Sequence, residues 1–139
     1  MFAKILVGID GSSGAERALS GAIDLAARYE ATLDAISIVE KMPKFATSIS
    51  EAKMLLDRER EYFEDLHRNA QLEAAKRQVE FKGNIMPGHE VTTMLDFART
   101  NKFDLLVIGK QGLSTKGTKR AGTTARALAE DAPCPILIM

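Results

Sequence analysis

The chain's 139 residues suffice for one domain with a real core, and residues 1–139 are read as a single unit. Its 19 basic and 19 acidic residues cancel, so no global charge draws it to nucleic acid or an anionic membrane, and any anion must be held locally. The one cysteine, Cys134, excludes an intrachain disulfide and fits a reducing compartment. No run approaches the ~18 apolar residues of a membrane span, so a soluble cytoplasmic protein is expected.

The opening apolar run is too short for a signal peptide, and Ile5-Leu-Val-Gly-Ile9 reads as a strand buried on both faces. Asp10-Gly-Ser-Ser-Gly14 bounds it, and Ser13-Gly-Ala-Glu16 has capping-box spacing. Ala15, Ala18, Leu19, Ala22, Ile23 and Ala26 follow at helical spacing. Leu33 to Val39 is a second strand, and Lys41 to Thr47 a loop. Ser48-Ile-Ser-Glu51 caps a long helix reaching to about Gln78, with Leu55, Tyr62, Phe63, Leu66 and Ala70 as its apolar stripe. The other faces of that helix are charged, which places it on the surface. Val79 to Met86 is a more mixed third strand, suited to a place near an edge. Glu90 to Thr100 is a helix with Val91, Met94, Leu95 and Ala98 facing in. Leu105 to Ile108 is a fourth strand, Thr124 to Asp131 a short helix and Pro135 to Met139 a fifth strand.

Strands alternating with helices predict an α/β fold: an open, twisted five-stranded parallel sheet, with right-handed crossovers and helices on both faces. Such sheets bind ligands beyond the carboxyl ends of their strands, where the winding reverses. The loops after strands one and four, Asp10 to Gly14 and Gly109 to Gly112, are both glycine-rich, as a switch point requires.

Gly109-x-x-Gly112, with Gly122-Thr123-Thr124 nine residues on, is the principal signal. Glycines let an anion approach the main chain without a Cβ in the way, and a helix start presents free N–H groups. A glycine-rich turn followed by an ordinary threonine cap satisfies the same spacing. The helix after Gly122 carries Arg126 in its first turn and Glu130 and Asp131 in its last, the reverse of the macrodipole preference. Either its start is reserved for an external anion, or these exposed charges matter little. Lys110, Lys116, Lys119 and Arg120 form a local basic patch, able to attract phosphates or simply solvated. Gly8-Ile-Asp10-Gly11 imitates a dinucleotide fingerprint, but Asp10 stands where the second glycine must admit pyrophosphate. Asp10 suits a ribose hydroxyl or a phosphate-bound Mg²⁺, or else a turn. No Walker A pattern is present. His67, His89 and Cys134 are too scattered for a zinc site; both histidines read as surface residues and Cys134 as a packed thiol. No catalytic residue is assigned.

The chain resembles the universal stress protein family along essentially its whole length. The resemblance rests on Ile5-Leu-Val-Gly-Ile-Asp-Gly-Ser12, Asp104-Leu-Leu-Val-Ile-Gly109, Ala132-Pro-Cys-Pro-Ile-Leu-Ile138, and the spacing Gly109-x2-Gly112-x9-Gly122-Thr123. That spacing is similar to the ATP-binding signature of one branch of the family. The resemblance implies a Rossmann-like sheet of order 3-2-1-4-5, of the adenine nucleotide alpha hydrolase-like type. It also implies an ATP site, or one for another adenine nucleotide, with Mg²⁺. Gly109 and Gly112 would hold ribose and phosphates, Gly122, Thr123 and Thr124 the phosphates, and Asp10 the ribose or a nucleotide-bound metal. Ile9, Ile38 and Ile108 would border adenine and ribose. A homodimer through Pro135 to Met139 is implied too, and an apolar strand at a sheet edge favours it independently. The segment Ser114 to Ala121 departs from the family in being polar and basic, with an additional Gly117. The resulting expectation is a nucleotide-dependent regulatory protein with an unidentified protein partner and no efficient phosphoryl-transfer machinery. A pure interaction module and a slow ATPase or phosphotransferase are the alternatives.

Overall fold

The computed structural model describes residues 1–39, 47–110 and 122–139. They form β1 (Lys4–Gly8), α1 (Ser13–Tyr29), β2 (Thr32–Val39), α2 (Ile49–Lys76), β3 (Phe81–Pro87), α3 (Glu90–Thr100), β4 (Leu105–Ile108), α4 (Thr123–Asp131) and β5 (Ile136–Ile138). The strands make one sheet of order β3-β2-β1-β4-β5, and every neighbouring pair is parallel. The expected α/β architecture and strand order are therefore present.

Alternation along the central strands sends side chains into two cores. Ile5, Val7 and Ile9 pack with Leu33, Ala35, Leu105 and Val107 beneath α1 and α2. Leu6, Ile36, Leu106 and Ile108 pack with Met94, Leu95 and Ala98 of α3, and with Ala125 and Leu128 of α4. The buried side of α1 is almost all alanine (Ala15, Ala18, Ala22, Ala26), so its axis can lie close to the sheet.

Three helices end with one device. Glu30, Gln78 and Lys102 adopt left-handed backbones, with φ of 55°, 57° and 56°. The next residue in each case is buried: Ala31, Val79 and Phe103. Its N–H donates to the carbonyl of the alanine five residues back: Ala31 to Ala26, Val79 to Ala74, and Phe103 to Ala98. This is the Schellman arrangement, an αL residue closing the last turn and an apolar residue sealing it. It explains why β3 begins at Phe81, later than expected, since Val79 belongs to the closure of α2.

Three further expectations are corrected. The cap of α1 is Ser12 and not Ser13, with Ala15 N–H donating to Ser12 Oγ at 3.1 Å. Tyr62 was expected in the apolar stripe of α2 but is 50% exposed. His67 was expected at the surface and is only 7% exposed, because it shares a helical face with the buried Phe63, Ala70 and Ala74. By contrast, Ser48 caps α2 as expected, its Oγ accepting from Glu51 N–H at 3.1 Å.

Candidate functional site

The winding of the sheet reverses between β1 and β4. The chain leaves β1 toward β2 on one side, and β4 continues to β5 on the other. The crevice beyond the carboxyl ends of these strands is where a doubly wound sheet takes a ligand. Its walls are the β1–α1 loop, the end of β2, the end of β4 and the first turn of α4.

On the β1 side, Ser12 N–H donates to Asp10 Oδ1 at 2.8 Å, closing an Asx turn. Asp10 is thus a turn residue, and its second carboxylate oxygen has no protein partner among the described residues. Gly11 follows with φ of +87°, and a Cβ there would collide with the Tyr62 hydroxyl of α2. Ile9 N–H donates to Ile36 O at 3.0 Å, so β1–β2 pairing continues to the edge of the loop.

On the β4 side, Gly109 lies against the first turn of α1. An added Cβ would stand 2.6 Å from the carbonyl carbon of Gly14 and 2.9 Å from Ala15 N. Real Cβ atoms do not approach main chain this closely, so only glycine fits while the loop and α1 keep their places. Close packing therefore requires Gly109 before any ligand is considered. Lys110 N–H donates to the Met139 oxygen at 2.5 Å, and Gly122 N–H to Lys110 O at 2.6 Å. These bonds bring the first and third glycines of the signature, 13 positions apart, to one place.

Gly122 is the N-cap of α4 and, lacking a side chain, leaves the first-turn N–H groups without a side-chain cap. Its own N–H is already taken by Lys110 O, so the available donors are those of Thr123, Thr124 and Ala125. No acidic residue stands in that first turn. A helix start with free donors and positive dipole suits an anion.

The three isoleucines do not share a face. The side chain of Ile9 is buried among the α1 and α2 residues, leaving only its main chain at the strand end. Ile38 and Ile108 belong to the α3 and α4 side, where Ile108 is buried and Ile38 partly exposed. Gly112, and the basic residues Lys116, Lys119 and Arg120, lie outside the described residues.

One buried polar cluster borders this crevice and went unread in the sequence. Ser37 Oγ donates to Ile9 O at 2.6 Å and lies 2.8 Å from His67 Nε2. Burial lowers the pKa of His67 and favours the neutral ring. Its place on the Phe63–Ala70–Ala74 face was the available signal. Cys134 is partly buried next to the α3–α4 core; burial first, then the charge of Asp104, raises its pKa. Among the described residues no group of three or more His, Cys, Asp or Glu could hold a metal. No helix there is long and apolar enough to cross a membrane.

Fold and crevice together define a doubly wound α/β protein with Gly109 and Gly122 brought together at its switch point. The chain belongs to the universal stress protein family, whose model matches residues 1–139. It is 29% identical to universal stress protein YxiE of Bacillus subtilis, over 100% of this chain and 99% of that protein. It is 30% identical to a Thermus aquaticus universal stress protein, over 100% and 99% respectively. Among solved structures it is similar to the universal stress protein UspA of Lactobacillus plantarum, with 27% identity, a TM-score of 0.92, and coverage of 99% of this chain and 97% of that one. The fold is also shared with a universal stress protein solved in complex with cAMP, at 24% identity and a TM-score of 0.76, covering 99% and 97%. More distant structures of the same fold carry AMP and dAMP.

Proposed function

We propose that this chain is an ATP-binding, nucleotide-dependent regulatory protein of the cytoplasm that acts as a homodimer. One observation carries the reading. The α4 start has no side-chain cap and no acid in its first turn, and it is tied through Lys110 to Gly109 at the switch point. Phosphates would take the N–H groups of Thr123, Thr124 and Ala125, with the threonine hydroxyls adding donors. Ribose would lie over Gly109 beside Asp10, whose free oxygen suits a hydroxyl or a nucleotide-bound Mg²⁺. Adenine would lie along Ile38 and Ile108, with Ile9 contributing main chain only. The cAMP, AMP and dAMP held by proteins of this fold support an adenine nucleotide as the ligand. β5 is one of the two edge strands, and its outward edge offers main-chain groups to a second copy. The first turn of α4 carries no acidic residue of its own, and regulation is the reading we put ahead of turnover.

The test is nucleotide analysis of purified protein, together with thermal shifts on adding Mg-ATP and AMP. Bound adenine nucleotide, or a clear upward shift that Gly122→Val abolishes without unfolding the protein, is expected. No nucleotide and no shift at millimolar ATP would leave α2, with its long charged face, as the basis of a pure interaction module. Turnover above about 1 s⁻¹ would make the protein an enzyme.

A further inference from the structure

The carbonyl of Ile9 lies at the end of β1, one bond before Asp10. It is held by a side chain: Ser37, on β2, donates its hydroxyl proton to Ile9 O at 2.6 Å. A carbonyl cannot donate, so that proton must lie between the two oxygens. Ser37 Oγ can then only accept from the ring nitrogen 2.8 Å away, which fixes His67 as the Nε2–H tautomer. The ring is seated on β3: a Cβ at Gly83 would stand 2.5 Å from His67 Nδ1 and 3.1 Å from its Cβ, so only a bare backbone accommodates it. Ser37 is 1% exposed and His67 7%. This buried relay runs from α2 through β2 to the Ile9–Asp10 peptide just beyond β1.

A peptide group is planar, so anchoring the Ile9 carbonyl also sets the direction of the Asp10 N–H and Cα. Asp10 in turn closes its Asx turn on Ser12, the cap of α1. Five residues before His67, Tyr62 places its hydroxyl against Gly11. Helix α2 therefore braces the β1–α1 loop on both sides of Asp10. Its charged outer face remains in water, where Arg68–Asp65 and Lys76–Glu73 pairs stand exposed.

We infer that His67, acting through Ser37, is a positioning residue that fixes the Asp10 loop for its ligand and ties ligand occupancy to helix α2. The inference rests on the adenine-nucleotide reading of the crevice. It is tested in the full chain by two readouts. The first is Mg-ATP affinity by calorimetry. The second is amide hydrogen exchange at Gly11 and Ser12 without nucleotide.

His67→Phe keeps the ring but loses the donor; it should weaken Mg-ATP about tenfold, the scale of one lost hydrogen bond, and speed exchange at the loop by a similar factor. His67→Gln returns an N–H to about the same place and should restore both to within about threefold, a rescue that loss of packing alone would not give. If His67→Phe fails to fold, Ser37→Ala reads the same relay from its other end. Wild-type affinity and unchanged loop exchange in a folded His67→Phe or Ser37→Ala protein would overturn the inference. If the wild type binds no adenine nucleotide, the proposed function falls, and the exchange readout still decides whether the relay holds the loop.

Discussion

The two strand ends that wall the crevice are held by different means. At the β1 end side chains do it: Asp10 turns onto Ser12, Ser12 caps α1, and Ser37 with His67 anchors the Ile9 carbonyl. At the β4 end the backbone does it: Gly109 lies against the main chain of α1, Lys110 donates to Met139, and Gly122 donates to Lys110. A side-chain wall can be adjusted one residue at a time, because each group has a definable replacement. A backbone wall built on glycine has no such freedom, but it leaves main-chain donors uncovered for a ligand.

The strongest way to break this contrast is Gly109→Ala. One methyl group would stand 2.6 Å from main-chain carbon of α1, so a loop or a helix must move. A loss of about 3 kcal/mol in urea unfolding is expected, at the upper end for overpacking, together with loss of nucleotide binding. A change below ~0.5 kcal/mol would show that the β4 end is not held by that contact.

The next effect belongs to the β1 wall and to pH. Burial lowers the pKa of His67 from 6.5 in the folded chain. The unfolded chain therefore takes up a proton first as pH falls. The stability that the neutral ring contributes is complete above pH 6.5 and is lost as pH drops from there through the folded value. Over that window the slope approaches, at most, ~1.4 kcal/mol per pH unit. Urea midpoints of the wild type at pH 7 and pH 5 should differ more than those of His67→Gln. Equal differences would remove His67 from the account.

The smallest effect is the most discriminating. In Gly122→Ser the hydroxyl can accept a first-turn N–H of α4, adding only a few tenths of a kcal/mol of stability, about 0.3. The same hydroxyl would compete with a phosphate for that donor. Melting temperature should rise slightly while Mg-ATP affinity falls severalfold. Both rising together would place the phosphates elsewhere.

Much of the fold was legible because the two periods are distinct. Runs such as Leu105 to Ile108 and spacings such as Val91, Met94, Leu95 and Ala98 point to one structure each. The boundary errors have local causes. Ser12 and Ser13 can both cap, and only the Asp10 turn decides between them. Val79 reads as strand, although its N–H closes the end of α2. The candidate site shows in the sequence as a spacing of glycines but not as a set of contacts. Gly109 read as a phosphate glycine, whereas its packing on Gly14 joins residues 95 positions apart, which no local pattern reports. His67 reads as a surface residue by its polar identity, but its helical phase buries it, and its partner Ser37 lies 30 residues away.

The three helix ends at Glu30, Gln78 and Lys102 carry a consequence for how this molecule can be tuned. Each is a residue with a Cβ held in a conformation that glycine adopts at no steric cost, and each strains the chain by about 1 kcal/mol. All three lead into the amino ends of strands, on the sheet edge opposite the crevice. The chain thus keeps a reserve of heat tolerance that glycine substitutions there could release without touching the ligand edge. Helix closure and the candidate ligand crevice occupy opposite rims of one sheet, so the first can be altered without altering the second.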